Sequence, residues 1–411
     1  MQKSYVIGFP RIGEKRELKK VLEKYWSKQS DFNEVKYVAR QLKRRHWNYQ
    51  KQSNISFISS NDFSLYDNVL DTTILLGAIP KRFEHLKDEE LYFAMARGND
   101  TCVAMEMTKW FNTNYHYIVP EISKETTFKL NSKKIIEEYE EAKELGIKTK
   151  INLLGPITYL GLSKSIDNSD VFFHINNVVK VYKELLEEIS KFDDEIIVQF
   201  DEPLFVRDID TKILSLIKPV YDELSNAVTN IKIVVASYFE HSNEASKILV
   251  NTPIWALALD FIYGEKNIES LDFIKNSNKT LIAGVIDGRN IWKSDFKKKI
   301  DLLEKISKHI NKDKLIISTT CSLLHVPFSL KYEDHLSKEI KSWLAFACEK
   351  LNELSLVSKD FFDIQLNLDE ISIIKRNLED NIQRKTSSKI HNLEIQNEIK
   401  NLKLFERADK F

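Results

Sequence analysis

Short apolar segments alternate along the chain with longer segments in which apolar residues recur at helical spacing. In one helical segment, Ile135, Ile136, Tyr139 and Ala142 share a face, and Gly146 stands where a glycine commonly ends a helix. The strand candidates are Tyr5–Phe9, Ile55–Ser60, Tyr115–Val119, Lys150–Gly155, Ile196–Phe200, Ile233–Tyr238, Trp255–Asp260, Leu281–Ile286 and Leu315–Thr320. Such alternation predicts a parallel sheet joined by helical crossovers.

Two architectures fit this pattern: a closed (β/α)8 barrel and an open, doubly wound sheet. The chain has only ten glycines and no glycine-rich dinucleotide loop, which disfavours the open alternative. The candidates exceed by one the eight strands of a barrel, and we expect Tyr115–Val119 to lie outside it. The predicted fold class is therefore α/β, a (β/α)8 TIM-type barrel with additional C-terminal helices.

Acidic residues cluster where the strand candidates end, and this placement favours the barrel. In a barrel these ends meet at one rim, where barrel enzymes carry their chemistry. Capping of the following helices explains about half of these acids equally well. The residues are Asp62, Glu121, Asp201, Glu202, Glu240, Asp260 and Asp287.

The charge and the cysteines narrow the class of protein. The 411 residues include 61 basic and 61 acidic side chains, so we expect neither a nucleic acid nor a membrane as a partner. Three scattered cysteines and no long apolar stretch lead us to expect a cytoplasmic protein. Cys321 and His325 are four residues apart, but zinc needs further ligands, and we predict no metal site and no catalytic residue in this chain.

Two segments are candidates for ligand binding. GFPRIGEKRELKK follows the first strand candidate and begins a helix, where Lys15, Arg16 and Lys19 could hold an anion, although an ordinary solvated basic face explains the pattern as well. KWFNTNYHY is dense in aromatic and amide side chains, which suits either a flat ligand or a buried loop.

Two rim segments leave similar alternatives open. In QFDEP, Asp201 and Glu202 could bind a ligand amine or guanidinium, or serve the structure alone. In GVIDGRNIW, Asp287 and Arg289 could brace their loop or touch a substrate.

Together with NDFSLYDNVLD, LLGPITYL and CSLLHVP, these motifs resemble, in the same order, the N-terminal half of cobalamin-independent methionine synthase. The resemblance covers nearly the whole chain and implies one of two facing (β/α)8 barrels. The family transfers a methyl group from 5-methyltetrahydropteroyltriglutamate to homocysteine, uses zinc and uses no cobalamin. By this resemblance the folate substrate is bound by Arg16, Glu17, Leu18, Lys19 and Lys109.

The resemblance also implies what the chain lacks. In the family, the zinc ligands and the homocysteine-binding residues belong to the second barrel. This chain has Ala236, Ser237 and Tyr238 where the duplicated barrel would offer metal ligands, and only Cys321 keeps a ligand-type residue. We therefore expect that the chain alone is inactive, and that homocysteine binds through a C-terminal barrel, in cis or as a separate chain.

The predicted organisation is a barrel over residues 1–355 and a charged helical extension over residues 356–411, leading toward a second barrel. Two other functions stay open: a stand-alone, non-catalytic module that binds folate polyglutamate, and an unrelated activity on the same rim. A partner chain that carries a zinc site would favour the half-enzyme over the binding module.

Overall fold

A computed structural model describes residues 3–401, and its central feature is an eight-stranded parallel barrel. Each strand pairs with its neighbours in chain order. The first and second strands meet through a parallel bridge between Tyr5 and Phe57, which closes the ring. The barrel prediction is thus confirmed. The strands are Ser4–Tyr5, Ile58–Ser60, Thr149–Leu154, Ile196–Asp201, Ile231–Ser237, Ala256–Asp260, Thr280–Ile286 and Leu315–Thr319.

The helices cover the outside of the barrel with their apolar faces inward. Ile135, Tyr139 and Ala142 are buried as the pattern predicts, whereas Ile136 at the edge of this face is only half-buried. The chain leaves their helix through Gly146 at φ +65°. The α-helices are Glu17–Trp26, Phe32–Gln52, Asn68–Leu75, Asp88–Arg97, Lys133–Glu144, Pro156–Gly161, Ile175–Ile189, Thr211–Ser225, Asn243–Leu249, Leu271–Lys275, Phe296–Ser307, Lys338–Trp343, Ala347–Phe361, Leu368–Thr386 and Leu393–Asn401.

The strand candidate that we expected outside the barrel does lie outside it. His116–Ile118 pairs antiparallel with Met107–Lys109 in a hairpin that reaches over the barrel mouth. Its partner strand is exposed along its length and has no apolar pattern, so the sequence offered no signal for it. A second short pair, Glu121–Ile122 with Lys164–Ser165, was missed because two residues are too few to show a periodic pattern.

The first barrel strand is shorter than the predicted Tyr5–Phe9. Beyond Tyr5, side chains replace the backbone ladder. The Ile7 amide donates to Thr319 Oγ1 at 3.2 Å, and the Phe9 amide donates to Asp62 Oδ2 at 2.8 Å. Residues 6–9 nevertheless stay buried at the barrel wall, where the Ile7 carbonyl accepts from Asn152 and Gln199.

The helices near the C-terminus pack on the outer wall. Helix Ala347–Phe361 contacts the first, seventh and eighth strands, and the predicted division at residue 355 falls within it. In the next helix, Asn377 and Asn381 are buried and both donate to the Ser294 carbonyl. The domain division therefore stays a prediction, and residues 402–411 of the predicted extension lie outside the described residues.

The length and polarity of the helices bear on whether the chain could span a membrane. Among residues 3–401, no helix combines the length and the apolar character that crossing a bilayer requires.

Candidate functional site

A cavity of about 730 Å³ opens at the C-terminal ends of the barrel strands, lined from the first five strands and the eighth. It extends outward between helices Phe32–Gln52 and Lys133–Glu144. Its volume falls within the range of about 300–1,000 Å³ that is typical of small-molecule sites. This cavity is the first candidate site.

The floor of the cavity rests on a buried lysine. Lys150 Nζ lies 2.8 Å from Ser59 Oγ, 2.6 Å from Asn152 Oδ1 and 2.8 Å from Gln199 Oε1. These three acceptors match the three donors of an ammonium group. Burial lowers the pKa of Lys150, and the carboxylate of Asp201 opposes that shift. The lysine thus fixes the polar residues of the floor without reaching the cavity lining.

Two carboxyl groups line this floor. Asp62 accepts a hydrogen bond from the Phe9 amide, and Asp201 accepts one from Gln199 Nε2 at 2.7 Å. Burial raises the pKa of both carboxyl groups, although the nearby Lys150 charge opposes the shift. Each group also lines the cavity, so the acceptor positions that protein donors leave open face a ligand there.

The aromatic segment KWFNTNYHY supplies one wall. Trp110 and Tyr115 line the cavity from the turn of the hairpin, while Phe111 packs edge-on against Trp110 with ring centroids 5.0 Å apart. His325 lies across the cavity with its ring 6.4 Å from that of Tyr115. Burial lowers the pKa of His325 to about 4, so the imidazole is neutral at pH 7. Both predicted uses of this segment, as a buried loop and as a ligand wall, are compatible with this arrangement.

Other rim acids serve the structure. Glu202 accepts hydrogen bonds from the Ile157 and Thr158 amides, at 3.2 and 2.7 Å, and from the Tyr221 hydroxyl. Asp260 accepts the amides of its own loop. The alternative of helix and loop capping therefore accounts for these residues.

Two more of the predicted rim acids also bind protein groups. Asp287 accepts the Arg289 and Asn290 amides, so it braces its loop. The Arg289 guanidinium reaches Asn112 O at 3.1 Å and does not pair with Asp287. Glu121 forms a two-pronged ion pair with Arg82 outside the barrel. Of the rim acids predicted from the sequence, Asp62 and Asp201 line the cavity.

The basic segment predicted to bind folate lies on the other side of helix Phe32–Gln52. Arg16 and Lys19 are exposed, whereas Leu18 is fully buried in the core. Glu17 accepts the Lys15 amide at 2.9 Å and Arg45 Nη2 at 2.7 Å. Partial burial would raise the pKa of Glu17, but these hydrogen bonds and its own backbone amide lower it.

These bonds change how an anion could be held at this helix. The Glu17 and Leu18 amides are already paired, with the Glu17 carboxylate and with Ile12 O respectively. The helix N-terminus therefore offers fewer free amides than expected, and Arg16 and Lys19 would supply the binding through their side chains. Neither residue lines the cavity, and their folate role stays a prediction.

Lys109 ends the outer strand of the hairpin and is exposed. Within residues 3–401 its ammonium group forms no ion pair, so it remains available to an anion. It neighbours Trp110 in the chain but does not line the cavity.

The residues present do not fit a zinc ion. Within the part of the chain that the structure describes, no three His, Cys, Asp or Glu side chains are grouped to hold a metal. Cys321 is fully buried, and burial followed by the nearby Asp260 raises its thiol pKa well above the usual value. A thiol held in its protonated form is a poor zinc ligand.

Sequence reasoning missed the residues that shape the cavity. Lys150 opens a strand candidate, where a lysine suggests an exposed end, and only closure of the barrel places it inside. Arg11 Nη1 donates to the Ser64 and Leu65 carbonyls and lines the cavity. It belongs to the GFPRIG motif, where an arginine directly after a strand end was the available signal for a residue at the barrel rim.

A closed (β/α)8 barrel with a cavity at its C-terminal rim defines a class of proteins that place their ligand sites at this end. Residues 3–311 match the family model "Cobalamin-independent synthase, N-terminal domain", and the chain belongs to this family. The family name agrees with the prediction that no cobalamin is used.

Relatives support the same assignment. The chain is 53% identical, over 99% of its length, to a 5-methyltetrahydropteroyltriglutamate–homocysteine methyltransferase of Desulforamulus reducens, and covers 53% of that protein. It is 39% identical over 96% of its length to the chloroplastic enzyme 3 of Arabidopsis thaliana, covering 49% of it. The chain thus spans about half the length of these relatives.

A solved structure bears on the fold. A B12-independent methionine synthase from Shewanella sp. W3-18-1, in complex with selenomethionine, superposes with a TM-score of 0.61. The match covers 81% of this chain and 90% of the other at 17% identity, so it supports the fold alone.

Proposed function

We propose that this chain is the folate-binding barrel of a cobalamin-independent methionine synthase, which transfers a methyl group from 5-methyltetrahydropteroyltriglutamate to homocysteine. The observation that carries the proposal is the 53% identity, over 99% of the chain, to a relative named for this reaction. The proposed location is cytoplasmic.

The triglutamate tail is the part of the substrate that this chain is proposed to bind. Arg16, Lys19 and Lys109 present exposed cations, and a polyglutamate tail is a series of carboxylates that pairs with such cations. Leu18 anchors the segment in the core, and Glu17 ties it to Arg45. The segment is thereby held firmly although its cations are exposed.

The chemical step is proposed to need a second barrel. Zinc in the family would hold homocysteine as a thiolate, which is the nucleophilic form of a thiol. The described residues do not fit zinc, so no catalytic step is assigned to this chain. A C-terminal barrel, in cis or as a separate chain, would supply the metal and the homocysteine site.

Binding measurements test the tail site. Lys19→Ala and Lys109→Ala should each weaken binding of the triglutamate folate by about tenfold, as expected when one charge-assisted contact is lost. Binding of the monoglutamate should change little. Lys20→Ala, at the next exposed position of the helix but about 100° around its axis, is the matched control. If both variants bind the triglutamate as tightly as the parent chain, the tail site is wrong.

A turnover assay tests the division of labour. The purified chain, supplied with zinc, homocysteine and methylated triglutamate folate, should form no methionine above background. Addition of a separately prepared second barrel should restore methyl transfer. Methionine formed by the chain alone would show that a complete site is present here.

A further inference from the structure

The barrel-mouth cavity has no role in the proposed tail site. Asp62 and Asp201 line its floor, while the predicted folate residues Arg16, Lys19 and Lys109 do not line it. A small-molecule-sized cavity at the C-terminal rim is the position where barrel proteins place ligands. The question is which chemistry its lining would recognise.

The polar floor presents acceptors. The donors of Lys150 are already occupied by Ser59, Asn152 and Gln199, so they are not available to a ligand. The Asp62 and Asp201 carboxyls are each held by protein donors but keep acceptor capacity, since a carboxylate has about four lone-pair positions. A ligand that donates N–H groups and carries positive charge would complement this floor.

The walls restrict the shape of that ligand. Trp110 and Tyr115 form one side, and the neutral imidazole of His325 lies near Tyr115. Aromatic faces favour flat, delocalised cations, and carboxylates bind such cations through paired hydrogen bonds. A compact ammonium would use the carboxylates but gain less from the walls.

We propose that the barrel-mouth cavity binds a small molecule through a planar amidinium or guanidinium head, with Asp62 and Asp201 as acceptors and Trp110 and Tyr115 as the stacking wall. Its outer end is closed by ion pairs between flanking helices, such as Lys43 Nζ to Glu141 Oε2 at 2.8 Å. Arg40 and Lys134 there are also paired with carboxylates, so the unpaired acceptors of the floor are the part of the cavity that selects the head. This site is independent of the proposed tail site.

Titration calorimetry with the full chain tests the proposal, with benzamidine as the planar cationic probe and benzamide as its neutral analogue. Benzamidine should bind, and benzamide should bind at least about tenfold more weakly because the charge-assisted contacts are lost. Asp62→Asn and Asp201→Asn should each reduce benzamidine affinity by about tenfold. Asparagine retains an acceptor for the existing protein donors, so both variants should remain folded.

Two further variants distinguish binding of benzamidine inside the cavity from general attraction of a cation to acidic side chains. Glu137→Gln removes an exposed carboxylate from the outer lining and should leave benzamidine affinity unchanged. Leu324→Trp narrows the cavity without changing charge and should abolish binding. Thermal unfolding of each variant verifies folding. Equal binding of the two probes, an equal loss in Glu137→Gln, or unchanged affinity in both aspartate variants would overturn the proposal.

Discussion

The adjacent acids Asp201 and Glu202 end the same barrel strand but face different surroundings. The Glu202 carboxylate is fully buried and receives two backbone amides and one hydroxyl. The Asp201 carboxylate lines the cavity and receives side-chain donors from Gln199 and Tyr238. Alternation along a strand explains the difference, because neighbouring residues point to opposite faces.

Of these two neighbouring acids, one therefore stabilises the fold and the other faces the cavity. The inward residue Asp201 belongs to the barrel interior, and the outward residue Glu202 lies beneath helix Pro156–Gly161 and holds its first turn. Four predictions test this division, in order of expected effect.

Replacement of Glu202 by alanine should have the largest effect. It would leave the Ile157 and Thr158 amides and the Tyr221 hydroxyl buried without an acceptor, at a cost of about 3 kcal/mol or more in the free energy of unfolding. Urea denaturation measures this loss.

The matched control is Asp201→Ala, because Tyr238 lines the cavity and can bind water, and Gln199 Nε2 keeps the Ile7 carbonyl as an acceptor. It should cost about 1 kcal/mol. Equal losses for the two variants would show that both acids are structural and would remove the basis of the division.

Gly155→Ala probes the same contact from the opposite side. A Cβ at this position would lie 2.1 Å from Glu202 Cδ, although the backbone at φ −68° accepts alanine without strain. We expect a loss of about 2 kcal/mol, typical of overpacking. Denaturation of the double variant is the measurement: in the Glu202→Ala background the penalty should disappear. A penalty that persists there would contradict the assigned clash.

On the cavity side, the buried imidazole of His325 should make the free energy of unfolding depend on pH. Burial, and then the nearby Arg289 charge, lowers the pKa of His325 to about 4, whereas an unfolded histidine titrates near 6.5. Between these values the unfolded chain binds more protons, so the folded state loses stability as pH falls. The contribution is about 1.4 kcal/mol per pH unit.

Urea denaturation between pH 7 and 4 should therefore show a shallower loss of stability in His325→Gln than in the parent chain. His116→Gln, at an exposed position, is the control. Identical pH profiles for His325→Gln and the parent would mean that this imidazole is hydrated rather than buried against the cavity wall.

The sequence was sufficient for the barrel because hydrophobic periodicity is local, and every strand candidate except Tyr115–Val119 contributes to the ring. The cavity was less accessible to such reasoning. Lys150 meets Ser59 and Gln199 only when strands from distant parts of the chain come together in the barrel. Likewise, the pattern QFDEP placed Asp201 and Glu202 correctly at a strand end but could not decide which would point inward.

The smallest effect on stability is expected at the proposed tail site. Lys19 forms an exposed ion pair with Glu23, 3.6 Å apart, and such pairs contribute less than about 0.5 kcal/mol within a helix. Lys19→Ala should therefore leave the urea midpoint nearly unchanged while weakening triglutamate binding. Glu23→Ala removes the same ion pair and serves as the control, because it should retain binding. A large loss of stability in Lys19→Ala would show that Lys19 has a structural role, like Glu202, and does not serve mainly to bind a ligand.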